Sequence, residues 1–128
     1  MKRPRFRLVP PPTPTERQVA AGCKAVMERR GYKPVRLNTG LFWTKDGRPA
    51  PQGEPGLPDY AGIHRLYPGI FLEVKRPGCA PSPEQEAYHQ ELKIGYGLVV
   101  AVIDDAMALE AWLDAHESEV RKKWGADH

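Results

Sequence analysis

Gly56-Leu57-Pro58-Asp59-Tyr60-Ala61-Gly62 and, after a short gap, Ile70-Phe71-Leu72-Glu73-Val74-Lys75 are the segments from which the architecture can be read. Leu66-Tyr67-Pro68-Gly69 between them is a turn, so residues 57–63 and 70–75 read as two consecutive strands. The second is apolar on both faces, which suggests a central place in a sheet. Residues two apart in a strand share a face, so Glu73 and Lys75 project together while Val74 points the other way. Charged side chains are seldom placed on so apolar a strand. Asp59 follows Pro58 at the end of the neighbouring strand.

Helix signals lie on either side of this pair. Thr13-Pro14-Thr15-Glu16 predicts a capping box with proline at the first helical position, opening a helix to about Arg30 that Gly31 closes. Val19, Ala20, Cys23, Val26 and Met27 form its buried stripe. Val35 to Leu37 and Leu41 to Trp43 read as short strands around Asn38-Thr39-Gly40, or equally as one bent strand. Lys45 to Pro55, rich in glycine and proline, reads as a loop long enough to be functional. Ser82-Pro83-Glu84-Gln85 is a second capping box, whose helix runs to Ile94 and ends at Gly95. Gly97 to Ile103 reads as a strand buried on both faces. Asp104 or Asp105 then caps a last helix through Leu109, Trp112 and Leu113 and on towards Trp124. Strands flanking the Ser82 helix lie parallel through a crossover. The expected fold is α/β, a central mixed sheet flanked by helices.

The chain of 128 residues, 41% hydrophobic, is enough for one core and too little for two. Residues 1–12, with Lys2, Arg3, Arg5, Arg7 and several prolines, read as a flexible basic arm, and residues 13–128 as a single domain. No apolar run approaches the ~20 residues that span a membrane, and no apolar segment follows the basic start as in a signal peptide. The two cysteines have no metal spacing and are too few for a disulfide framework, which suits an intracellular, cytoplasmic protein. A net charge of +3 permits nucleic-acid binding without demonstrating it.

Two converging carboxylates can hold Mg²⁺, which takes oxygen ligands, and a lysine beside them can orient water or neutralise developing negative charge. Phosphodiester hydrolysis needs that combination. The pattern Pro58-Asp59…Glu73-Val74-Lys75 resembles the PD-(D/E)xK nuclease superfamily. The ordered set of Arg36-Leu37-Asn38-Thr39-Gly40, the two acidic segments, Ser82-Pro83-Glu84-Gln85 and Gly97-Leu98-Val99-Val100-Ala101-Val102 is similar to the VRR-NUC family, particularly its small stand-alone phage and bacterial members. The likeness covers residues 13 to 113. It implies a restriction-endonuclease-like core and a Mg²⁺-dependent DNA endonuclease in which Mn²⁺ can substitute, with no organic cofactor and no membrane. It also implies branched or junction DNA as the substrate and, by extrapolation, a homodimer like the Holliday-junction resolvases.

The resemblance assigns Asp59, Glu73 and the Val74 carbonyl to the metal, Lys75 to the attacking water, and Gln85 to the active-site face of its helix. Glu16 resembles the family's helix glutamate directed at the metal, although it also suits the capping box, as Gln85 does its own. Arg36, Asn38 and Thr39 resemble an Arg-x-Asn segment that contacts phosphate. Lys45, Arg48, Arg76 and Tyr88 are further candidates for DNA contact. The histidines show no ligand spacing, and His64 reads as a surface residue. Three alternatives stand beside this reading: a flap or single-strand nuclease, a nicking enzyme of phage DNA metabolism, and a silent DNA-binding module that has kept the fold.

Overall fold

The computed structural model describes residues 12–37, 41–43, 45–47, 49–51 and 55–126. Expectations for the basic arm before residue 12 and for Asn38, Thr39 and Arg48 lie outside the described residues. In chain order the elements are helix α1 (Glu16–Arg29), strands β1 (Lys33–Arg36), β2 (Leu41–Trp43), β3 (Pro49–Pro51), β4 (Tyr60–Ile63) and β5 (Ile70–Val74), helix α2 (Pro83–Gln90), strand β6 (Val100–Ile103) and helix α3 (Ala106–Ala126). The protein is of the α/β class. A four-stranded mixed sheet, ordered β1-β4-β5-β6, is flanked by helices. β4 pairs antiparallel with β1 and β5, while β5 and β6 run parallel across the α2 crossover. β2 and β3 form a separate hairpin, so Leu41–Trp43 is neither a partner of β1 nor its continuation.

β5 is central, as its apolar run implies. Ile70, Leu72 and Val74 face a core shared with Val19, Cys23 and Met27 of α1 and Leu109 and Leu113 of α3. Burial there pushes the Cys23 thiol up to about 11, so it is an inert apolar filler rather than a nucleophile. Gly62 on β4 is needed for this packing. A Cβ there would sit 2.6 Å from the Met27 Cε and 3.0 Å from the Ile70 Cγ1. On the opposite face of β5 stands Glu73, with His89 of α2 against it.

Three further expectations are corrected. The N-cap of α1 is Thr15, not Thr13. Its hydroxyl accepts the Gln18 N–H, and the Gln18 side-chain oxygen accepts the Thr15 N–H at 2.9 Å. Pro14 therefore precedes the cap, and Glu16 takes no part in the capping box. Residues 12–18 are all exposed, so two further helical residues would bury nothing. The second correction is that Lys45 to Pro55 is not all loop. Pro49–Pro51 pairs with β2 as a short edge strand, a place where proline's missing N–H is tolerated. The third concerns β6, which is the sheet's edge and not buried on both faces. Val102 is 42% exposed because α3 covers only the other face.

The remaining signals agree with the chain's local chemistry. Ser82 and Gln85 form the predicted box, and Gly31 closes α1 with a φ of 88°. The α2 helix continues as one π-helical turn over Glu91–Gly95, reaching the expected end. Asp105 opens α3 by accepting the Met107 N–H, and α3 runs past Trp124. Arg30, half-buried against α3, donates to Glu110, Asp114 and Glu117, and Glu117 also accepts the Tyr32 hydroxyl at 3.0 Å. His64 fastens the β4–β5 turn instead of lying free at the surface. Its Nδ1 accepts the Leu66 N–H at 3.0 Å, which leaves Nε2 to donate to the Arg30 carbonyl. Among the described residues no helix is long and apolar enough to cross a membrane.

Candidate active site

The ends of β1, β4 and β5 place the two acids. Tyr60 pairs with Leu72 across the β4–β5 ladder, so continuing the register by one residue sets Asp59 opposite Glu73. Asp59 is fixed from both sides. Its carbonyl accepts the Leu37 N–H at 2.9 Å, and its Oδ2 accepts the Val74 N–H at 2.8 Å. An extended residue turns its N–H and C=O to the same side, so the Val74 carbonyl is directed towards the Asp59 side as well.

Glu73 is fully buried, and neither of its carboxylate oxygens has a hydrogen-bond donor. An ionised carboxylate in that position costs several kcal/mol on the order-of-magnitude scale for buried charges. Its pKa is accordingly pushed up, to about 9. Burial contributes most, followed by the neighbouring Asp59 carboxylate, while Lys75 pulls the other way. In the metal-free protein burial and the neighbouring Asp59 carboxylate favour the protonated form of Glu73. Replacing that proton by a hard cation would satisfy the orphaned oxygens, and the donor set is the oxygen chemistry that Mg²⁺ takes. The residues present fit the ion.

Asp59 opens into a cleft of about 550 Å³ that Glu16, Arg17, Lys24, Arg36 and Val74 also line. Glu73 is fully buried and does not line the cleft, which reaches the pair through Asp59. Glu16, released from the cap, stands on the cleft wall, where its charge adds to the upward push on Glu73. Among the described residues no three His, Cys, Asp or Glu side chains converge as a ligand group, so the pair is the nucleus and Glu16 flanks it. Lys75 follows β5, its N–H held by the Ile103 carbonyl at 2.8 Å, and its charge is felt by both Glu73 and His89.

Other candidates lie further out. The Gln85 side-chain oxygen accepts the Ser82 N–H at 2.9 Å, so that oxygen is engaged in the helix cap. Tyr88 sits beside Gly56 in the approach to Asp59. Arg76 starts the Arg76-Pro77-Gly78-Cys79 turn and is exposed, as is Lys45 at the tip of the β2–β3 hairpin.

His89 is the residue that sequence reasoning missed. It is 3% exposed, and its Nε2, without a hydrogen-bond partner, lies 3.8 Å from the Glu73 Oε1. Burial, then Lys93 and Lys75, lower its pKa. The ring is therefore neutral, and the contact is a polar approach rather than an ion pair. Its one sequence signal is position: it lies four residues after Gln85, on the same face of α2. No protein-family model matches the chain, and no curated protein matches it.

Proposed function

We propose that the chain is a metal-dependent DNA endonuclease with a restriction-endonuclease-like core, using Asp59, Glu73 and Lys75. The observation that carries this reading is the buried, donor-less Glu73 carboxylate set against Asp59 at the end of a cationic cleft. A purely structural acid at that position would carry a hydrogen-bond donor. Asp59, Glu73 and the Val74 carbonyl would hold Mg²⁺ or Mn²⁺, with Glu16 beside them. Bound there, the ion supplies Lewis-acid stabilisation of charge building on the phosphate oxygens.

The chain's own groups do the rest. The Val74 N–H fixes the Asp59 carboxylate, so its second oxygen stays directed at the site. Lys75 holds the attacking water in line and offsets charge on the phosphate. Arg36 on the cleft wall receives the phosphate beside the one that is cut. His89 and α2 close the far side of Glu73 against water. The water oxygen bonds to phosphorus and releases a proton to solvent as the P–O3′ bond breaks, and O3′ takes a proton from a solvent water, leaving 5′-phosphate and 3′-hydroxyl ends.

A single small domain has little surface for reading base edges over a long site, so DNA shape selects the substrate, with junctions preferred and a homodimer cutting both strands. The test is a parallel assay of four-way junction, flap, linear duplex and single-stranded DNA with Mg²⁺, Mn²⁺ or EDTA. Paired cuts in the junction, absent in EDTA, are expected. Preferential cutting of the flap or the single strand would move the assignment to those substrates. Tight metal-independent binding without cleavage of any DNA would replace the enzyme by a silent binding module.

A further inference from the structure

We propose that the sugar-phosphate backbone of a duplex arm leaves the Asp59 cleft along the groove between α1 and β1, held by Lys24, Lys33 and Arg65. The inference deepens the nuclease reading and rests on it. Beside the cleft lies a second hollow of about 690 Å³ lined by Lys24, Lys33 and Arg65, with Glu28 its one carboxylate. Lys24 lines both hollows, so they adjoin at that residue.

The elements explain the alignment. Arg17, Ala20, Ala21, Lys24 and Glu28 follow the spacing of one α-helical face, and the two alanines leave room for another backbone. Arg17 and Lys24, seven residues apart, are separated by about 10 Å along α1. β1 is the sheet's edge. Its Arg36 pairs with Tyr60 beside Asp59, and its Lys33 pairs with Ile63 two residues before Arg65. Lys33 thus lies about 10 Å further from the site than Arg36. The two cationic rows thus run in step for about 10 Å, a length that spans consecutive phosphates of one strand.

The charge balance is one-sided. Arg29 and Arg30, on the α3 side of α1, are paired with Glu110, Asp114 and Glu117. Among the described residues Lys24, Lys33 and Arg65 form no ion pair. The α3 acids lie on the face away from the groove, and within it Lys24, Lys33 and Arg65 outnumber Glu28, so the groove keeps a net positive field aimed at a polyanion.

The test measures affinity in EDTA for junctions in which one arm is lengthened stepwise, across a salt series. It compares wild type, Lys33→Gln/Arg65→Gln and Lys33→Arg/Arg65→Lys. Both positions are exposed, so the variants fold. In the wild type, affinity is expected to rise about tenfold as the arm grows past the cleft. The glutamine variant loses most of that rise, and its log–log salt slope becomes shallower by about 2, while the charge-conserving variant keeps both. An unchanged slope and unchanged arm-length dependence in the glutamine variant, with the wild type still cleaving, would overturn the groove and leave the nuclease reading intact. A wild type that neither binds nor cleaves DNA would overturn both.

Discussion

Glu73→Gln is expected to abolish metal-dependent cleavage, by about a thousandfold or more, and at the same time to stabilise the metal-free protein. The two effects share one cause. Glutamine keeps the shape but cannot ionise, so it mimics the protonated acid that burial and Asp59 favour. The folded-state pKa, about 9, lies above the ordinary 4.5. Below the ordinary value both folded and unfolded chains hold the proton, and Glu73 costs nothing. As pH rises between the two values the unfolded chain releases a proton that the folded chain retains, so wild-type stability falls. Above the folded value the cost is complete. The stability advantage of Glu73→Gln should therefore grow from acid pH towards pH 9, reaching about 1–4 kcal/mol, the range for replacing buried charge with a neutral group. Urea denaturation at several pH values in EDTA measures it. Mg²⁺ should stabilise the wild type and leave the variant unaffected. A variant less stable than wild type at every pH would mean that Glu73 is held by donors and is a structural acid.

Gly56→Ala is expected to cost about 3 kcal/mol and, separately, to slow cleavage about tenfold or more. Gly56 has a φ of 87°, where any Cβ is strained. An added Cβ would also lie 2.7 Å from the Glu84 carbonyl oxygen and 3.1 Å from the Tyr88 Cβ. The first contact is with helix backbone, which cannot rotate away, so α2 and the segment leading to Asp59 must part. For a domain of this size the loss lowers Tm by about 10 °C. Gly97→Ala is the control. Gly97 also has a positive φ, of 65°, but nothing lies within 4 Å of its Cβ position, so only the conformational cost of about 1 kcal/mol remains. Equal losses of stability in the two variants, with cleavage unchanged in Gly56→Ala, would show that α2 does not set the position of Asp59.

What the sequence discloses, and what it hides, follows from the range of the interactions involved. The apolar run of β5, the Ser82 box and the Gly31 stop are local signals, and each appears where the residues place it. Period-two geometry puts Glu73 and Lys75 on one face, whereas the opposition of Asp59 and Glu73 depends on the register that the β4–β5 turn sets. The start of α1 reads two residues early because Thr13-Pro14-Thr15-Glu16 spells a capping box, whereas Thr15 and Gln18 make the box that forms. That β6 is an edge depends on which strands lie beside it, a fact absent from its own composition. His89 was hidden for the same reason, since a lone histidine on a polar helix shows nothing until β5 is packed against it. The α1–β1 groove is likewise invisible in the net charge, because it depends on α3 neutralising the opposite side of α1.

The most direct test of Asp59, Glu73 and Lys75 as a hydrolytic centre is cleavage of a labelled four-way junction by wild type and Lys75→Ala, in Mg²⁺ and in EDTA, with binding measured alongside. Cleavage by the wild type in Mg²⁺ alone is expected, reduced by about 10²–10⁴-fold in Lys75→Ala while junction binding is retained. Cleavage by Lys75→Ala at the wild-type rate, or wild-type protein that binds the junction and leaves it intact in Mg²⁺, would contradict it.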